Sequence, residues 1–436
     1  MHVRRTVLLG TVAALVAAVL ALTWHRVEAR RCGADVTAVE HPVSPLLSPA
    51  LMRQRPDRHR DRLAAVLGRL GPPFGRVLGA VDYYYEQGLH LYGVPGGALA
   101  WTKRNAPVTM LSGDDLHPVW ALRPARARVA WDASADDFVL LTLSAKQPVE
   151  VLDHDLATGE RRWCARLPVA NADGDPLSTS ILADGSVVVA ARGPGDTDTT
   201  LLRLSPTGEQ VWQRTSRAVD RADYVGAFGD LVVVGGREEF RLGEDRPVAA
   251  GDVVSAFDAA SGRPAWGFGA PAGVHVVGVT RDALVLLEDG AAGADGARLV
   301  ALDTGGDVVW SRSLPGAAGR PLQTTLRGEV LLVKAPDRLA AYDADTGSEL
   351  WHRSLPATFT PYGFTLAMMP SLDATHLLVP TTTQLRVLDL RTGRHRAYPL
   401  PTDGINTTYW PYQLLATDQL LGVVTNTGAV VVRRAP

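Results

Sequence analysis

The sequence predicts an all-β fold built as a ring of four-stranded units, and three observations predict it. A turn motif returns six times between residues 153 and 398: an apolar alternation runs into Asp or Ser, then [Thr/Ser/Gly]-Gly, with Trp four residues after the Gly in five copies. The copies are DLATGERRW (155–163), SPTGEQVW (205–212), DAASGRPAW (258–266), DTGGDVVW (303–310), DADTGSELW (343–351) and DLRTGRHRAY (389–398), the last with Ala397 at the Trp position. The second observation is the period. Gly159, Gly208, Gly262, Gly306, Gly347 and Gly393 lie 49, 54, 44, 41 and 46 residues apart, room for about four short strands per unit. The third is composition, since 42 Gly and 29 Pro among 436 residues suit a turn-rich chain better than a helical one. Together they describe a β-propeller.

Each copy has the same physical reading. A strand such as LVALD (299–303) ends in an Asx-type turn, in which the Asp bonds backbone two or three residues on and the Gly supplies the positive φ that closes the hairpin. The strand that follows carries the Trp, too large to leave in water at every repeat and suited to the space between two stacked sheets. On this reading Trp163, Trp212, Trp266, Trp310 and Trp351 dock neighbouring blades.

In chain order, residues 1–5 form a short basic head, and residues 6–24, TVLLGTVAALVAAVLALTW, form an uncharged run of 19. At 1.5 Å per residue that run just crosses a hydrocarbon core of roughly 30 Å. It reads as a single-pass signal anchor with the N-terminus in the cytoplasm and the remainder outside. The rival is a cleaved signal peptide, although HRVEARRC offers a poor small-x-small site. Arg26, Arg30 and Arg31 on the far side run against the positive-inside rule. Residues 25–88 read as a linker with short helical segments. DRHRDRLAAVLGRL places Leu63, Val66, Leu67 and Leu70 at helical spacing, and a second helix is expected after Pro72-Pro73 with Phe74, Val77, Leu78, Val81 and Tyr84 or Tyr85 on one face. DYYYEQ (82–87) reads as the end of that helix packed on the ring, or as a contact patch.

Residues 89–436 are assigned to the propeller. Six blades follow from the repeats, beginning at RARVAWD (126–132) and ending with GFTLAMM (363–369), THLLVP, QLRVLD and RHRAYPL. YQLLA (412–416), QLLGVVT (419–425) and AVVVRR (429–434) then give three strands, and a blade left at three would expose an edge. ALAWTKR (98–104), with Trp101 four residues after Gly97 and expected to dock a neighbouring blade like the other five Trp, is the expected fourth, so that N- and C-terminal strands share the closing blade. Seven blades are favoured. Eight would recruit LHLYGV (89–94) and VTMLS (108–112).

Chemistry is sparse. A formal net charge of −2 gives no field for nucleic acid. Cys32 and Cys164 are the only thiols; a disulfide between them is one reading, a small side chain packed between blades at Cys164 the other. NADGD (171–175) lacks the Glu that a calcium loop would need, Asp114 and Asp115 read as a polar loop cap, and NTT (406–408) as a chance sequon. No catalytic, metal-binding or cofactor-binding set is assigned.

The repeated A-x-D-x-x-[TS]-G-x-x-x-W pattern, best seen in AFDAASGRPAW (256–266) and AYDADTGSELW (341–351), resembles the tryptophan-docking repeat of quinoprotein-like propellers. That superfamily holds pyrroloquinoline-quinone dehydrogenases and an outer-membrane assembly lipoprotein. The resemblance implies the fold over about residues 98–434 and is nearly silent on activity. Its enzymes stack a quinone beneath a vicinal Cys pair and hold Ca²⁺ with Glu and Asn, whereas the two Cys of this chain lie far apart. The expectation is therefore a non-catalytic, membrane-anchored, extracytoplasmic scaffold engaging another envelope protein or a polymer. The alternative is an enzyme or small-ligand sensor using the central channel.

Overall fold

The computed structural model of the protein describes Cys32 and residues 36–435, except 47–48, 55–57, 83–88, 103–106, 125–127, 135, 144–147, 171–176, 193–198, 217–223, 236–252, 270–272, 289–295, 315–321, 336–337, 355–365, 367–368, 382–383, 401–410 and 426–427. The anchor run 6–24, the DYYYEQ residues beyond Asp82, NADGD and NTT lie outside the described residues. So does most of GFTLAMM, of which Leu366 and Met369 are described and buried. Among the described residues no helix is long and apolar enough to cross a membrane.

Eight antiparallel sheets form the ring, so the favoured count of seven is corrected to eight. Blade 1 consists of Leu89–Val94, Gly97–Thr102, Val108–Ser112 and Pro118–Pro124, with a short fifth strand, Val36–Ala38, on its outer edge. Blades 2 to 6 each contain four consecutive strands, from Arg128–Ala133 through Glu349–Ser354. Blade 7 shows three strands among the described residues, His376–Pro380, Gln384–Asp389 and His395–Pro399. Blade 8 takes Pro411–Ala416, Leu420–Thr425 and Gly428–Arg434 from the C-terminal end and its outer strand, Phe74–Asp82, from near the start of the chain.

The chain ends thus share a blade, but through a different strand from the one expected. Gly97–Thr102 lies second from the inside of blade 1, where Trp101 pairs with His90. Trp101 is therefore not a blade-docking indole of the outer strand. The partner of Gly428–Arg434 is Phe74–Asp82, with Phe74 opposite Arg434 and Val81 opposite Ala429. Two register shifts, between Phe74 and Val77 and between Val77 and Gly79, explain the misreading. Each bulge adds a residue to one strand, so the period-2 alternation breaks and Phe74, Val77, Leu78 and Val81 imitate a helical stripe. The second expected helix is this strand.

Two helices precede it, α1 (Pro49–Gln54) and α2 (Arg58–Leu67). Leu63, Ala64 and Leu67 of α2 and Met52 of α1 are buried in one cluster with Phe74 and Ala80 of the closing strand, Val430 and Val432 beside it, and blade 7 residues such as Leu385 and Tyr398. The stripe that two short helices cannot bury alone is buried on the closing seam of the ring. Arg60 is fully buried there, bonded to Asp61 Oδ1 at 2.8 Å and to Met52 carbonyl at 3.4 Å.

Candidate functional site

The turn glycines and the indoles meet across the seams between blades. An added Cβ at Gly159 would lie 2.5 Å from Trp120, at Gly208 2.6 Å from Trp163, and at Gly262 2.6 Å from Trp212. At Gly306, Gly347 and Gly393 it would lie 2.7 Å from Trp266, Trp310 and Trp351. Each indole of one blade's outer strand therefore lies flat on the turn of the next blade, and side chains larger than hydrogen are shut out. All six glycines have φ between 66° and 84°, so the position needs Gly twice over, for backbone conformation and for contact.

The indole N–H completes the joint by donating to a turn carbonyl. Trp120 bonds Leu156 O at 2.8 Å, Trp212 Ala259 O at 2.8 Å, Trp266 Thr304 O at 2.9 Å, Trp310 Ala344 O at 3.0 Å and Trp351 Leu390 O at 2.8 Å. The turn that receives it is held by its first residue: Asp155 Oδ1 accepts from Thr158 N, Asp343 Oδ1 from Thr346 N, and Asp389 Oδ1 from Arg391 N and Thr392 N. Trp120 was invisible to the four-residue spacing because its turn, SGDDLHPVW, separates Gly113 from Trp120 by seven residues. Asp114 and Asp115 lie in that turn. Asp114 pairs with Arg433 at 3.1 Å, linking blade 1 to blade 8, and Asp115 Oδ1 accepts from His117 N.

Blade 7 departs from the pattern. In blades 4 to 6 a register shift precedes the Trp, as where Ala341 faces Trp351. The blade 7 pair has no shift, so Val387 lies opposite Arg396 and Leu385 opposite Tyr398. Side chains alternate along a strand, so this register turns Arg396 and Tyr398, not Ala397, toward blade 8. Tyr398 then does the indole's work: its hydroxyl donates to Pro72 O at 2.6 Å and its ring meets Phe74 edge-on at 5.1 Å.

The inner strands join by a different device. Asp132 of blade 2 accepts from Ile181 N of blade 3 at 2.9 Å and from Ala133 N at 2.9 Å, so both of its oxygens are committed to backbone. Gln413 of blade 8 and Leu91 of blade 1 exchange two bonds of 2.9 and 2.8 Å. Tyr92 meets Trp131 edge-on at 4.9 Å between blades 1 and 2. These groups hold neighbouring blades together and assemble no acid-base pair.

Cys32 and Cys164 form a disulfide with Cα atoms 6.0 Å apart, which ties the segment leading into Val36–Ala38 to the outer strand of blade 2. Arg161 Nη1 bonds Cys32 O at 3.0 Å beside it. A cleft of about 630 Å³ runs under this strap, lined by Val36, Trp120, His154, Gly159, Glu160 and Arg161. His154 is buried, which lowers its pKa, and its Nδ1 lies 3.0 Å from Gly159 O.

Asp153, on the neighbouring position, is buried with Oδ1 unbonded, opposite Trp163, whose Nε1 also has no partner among the described residues. Burial first, and then the charge of Asp137, push its carboxyl up from 3.8 to about 6, against the pull of Arg162. A carboxylate with a raised folded value favours folding when protonated, so this group's penalty sets in as pH rises from the ordinary value through about 6. Asp153→Asn should therefore raise the urea midpoint at pH 8, with the gain shrinking as pH falls through about 6. A gain that grew on acidification would contradict this assignment.

The residues do not fit a quinone. A vicinal cysteine pair is absent, and both cysteines are consumed in one bond across blade 2's outer edge. Among the described residues the one cluster of three donors suited to a metal is Cys32, Glu150 and Cys164, and its two sulfurs are bonded to each other. Glu150 itself pairs with Arg166 at 2.8 Å.

Comparison with known proteins agrees with the geometry. Residues 250–433, from the edge of blade 4's third strand to blade 8, match the family model described as outer membrane protein assembly factor BamB. None of the curated proteins matches the chain. Among solved structures, BamB from Moraxella catarrhalis is 16% identical, with a TM-score of 0.50 over 82% of this chain and 99% of that one. The quinohemoprotein alcohol dehydrogenase ADHIIG from Pseudomonas putida HK5 is 10% identical, with a TM-score of 0.51 over 81% of this chain and 75% of that one. The quinohemoprotein alcohol dehydrogenase from Comamonas testosteroni is 12% identical, with a TM-score of 0.50 over 91% and 81%. At these identities the structural likeness shows the fold alone. Repeat, ring and comparisons converge on one statement: the chain is an eight-bladed β-propeller whose residues 250–433 match the model of that assembly-factor family.

Proposed function

We propose that this chain is a non-catalytic scaffold of the cell envelope, tethered through residues 6–24 with its propeller outside the cytoplasm, where it engages another envelope protein. The observation that carries the reading is how the polar groups at the blade joints are used. Five of the six indole donors, Asp132 and Gln413 are spent on joining blades and the turn carboxylates on holding the turns that receive the indoles, and such joints build a rigid platform. The family match to an assembly factor supports a protein partner over a polymer.

The test uses full-length protein in its native membrane. The chain should stay with membranes through high-salt and carbonate washing, and in-cell cross-linking should trap a defined envelope protein. Detergent-purified protein supplied with pyrroloquinoline quinone and Ca²⁺ should show no dye-linked alcohol oxidation. Stoichiometric quinone binding with turnover would overturn the scaffold reading. A mature chain starting after residue 26 would replace the anchor with a cleaved signal.

A further inference from the structure

The seam between blades 7 and 8 differs from the six indole seams in a way that leaves room. At those six an indole fills the space between an outer strand and the next blade's turn. Here the unshifted register places Arg396 on that face, and the neighbouring blade has no hairpin at this end, because Gly428–Arg434 and Phe74–Asp82 come from opposite parts of the chain. A cleft of about 520 Å³ results, with a floor of Pro72, Pro73, Leu372, Val387 and Tyr398.

Its rim is cationic. Arg394 and Arg396 are exposed, and neither pairs with a carboxylate among the described residues. Arg396 rests over the Tyr398 ring at 5.1 Å from its centroid. Two carboxylates also line the cleft, but both are engaged internally. Asp389 caps its own turn through Arg391 N and Thr392 N. Asp373 accepts from Thr375 N at 2.7 Å and His376 N at 2.8 Å, and Arg434 lies 3.8 Å away.

We propose that this cleft binds a partner peptide presenting an aromatic side chain flanked by acidic residues. The aromatic group would lie against the Tyr398 ring, which itself holds the indole's place at this seam, over an apolar floor of Pro72, Pro73, Leu372 and Val387. The flanking carboxylates would meet Arg394 and Arg396, whose guanidinium forks suit bidentate carboxylate recognition. This deepens the reading of the chain as a protein-binding scaffold and rests on it by naming the chemistry of one docking site.

Calorimetry on the detergent-solubilised full-length chain tests it, with acetyl-Asp-Trp-Asp-amide as probe. The expected result is saturable one-to-one binding, weakened by about tenfold or more in Arg394→Glu/Arg396→Glu. Both arginines are exposed, so the variant's melting midpoint should match the parent's within surface-substitution scatter. Acetyl-Asp-Ala-Asp-amide and acetyl-Lys-Trp-Lys-amide should each bind far more weakly. Absence of binding to the parent, equal binding to the charge-reversed variant, or equal binding of either control peptide would overturn the proposal. Complete displacement of the probe by inorganic phosphate at equal concentration would reassign the cleft to simple anions and overturn it as well. An envelope partner still cross-linked in cells by the double variant, alongside failed peptide binding, would sink this inference while leaving the scaffold reading intact.

Discussion

Removing residues 428–436 should abolish cooperative folding of the propeller. The strand they carry is inner to Phe74–Asp82 and outer to Leu420–Thr425, so its loss orphans backbone groups on both neighbours. Ala429, Val430, Val431 and Val432 are all at most 1% exposed, and they join the closing strand to the clusters beneath α2 and blade 1. Burying a valine is worth about 1.5–3 kcal/mol, so the three valines alone account for a large share of the net stability of about 5–15 kcal/mol typical of a domain. Urea titration followed by tryptophan fluorescence should give no sigmoidal transition for the truncated chain. A transition at the parent's midpoint would mean that blade 8 is not needed to close the ring.

The second large effect is expected at the joint of Gly262 and Trp212. Trp212 is 6% exposed and bonded to Ala259 O, so Trp212→Ala should cost about 3–5 kcal/mol. Gly262→Ala places a Cβ 2.6 Å from the indole at a φ of 67°, and the left-handed backbone alone costs about 1–2 kcal/mol for a non-glycine residue. The clash adds to that in the single variant and vanishes when the indole is gone. The double variant should therefore be less destabilised than the sum of the singles, by about 0.5–3 kcal/mol. Trp101→Ala should cost less than Trp212→Ala, because Trp101 is half-buried in a second strand and carries no interblade turn. Strict additivity, or a Trp101 effect as large as that of Trp212, would contradict the docking account.

Much of the ring was legible because its turns are chemically repetitive. The strands of blades 2 to 6 follow from an Asp or Ser cap, a Gly at positive φ and an indole four residues later, and each of these is a local requirement. Closure was not legible at the level of the individual strand. Gly97 and Trp101 imitate the spacing by chance, while the true closing strand hides its alternation behind two bulges. Blade 1 concealed its docking residue in the same way, since the long turn at Asp114 and Asp115 carries Trp120 out of the expected spacing. At blade 7 the sequence shows that Trp is missing, yet only the pairing register shows that Arg396 and Tyr398 replace it on that face. The seam cleft depends on residues more than 300 positions apart, such as Pro72 and Tyr398, and no local pattern connects them.

The central claim is that an eight-bladed ring closes through Phe74–Asp82 rather than through the strand containing Trp101. Paired cysteines test it most directly, because the chain's own two cysteines are already bonded to each other. Val81→Cys/Ala429→Cys replaces directly opposed residues of the closing pair, and opposed residues of an antiparallel pair lie about 4.5–5.5 Å apart, within disulfide reach. Oxidative refolding followed by peptide mapping should recover a disulfide between positions 81 and 429 in most of the folded protein and leave Ala100→Cys/Val430→Cys unlinked. Linkage of the second pair in place of the first would return the closing strand to residues 98–104 and remove the eighth blade.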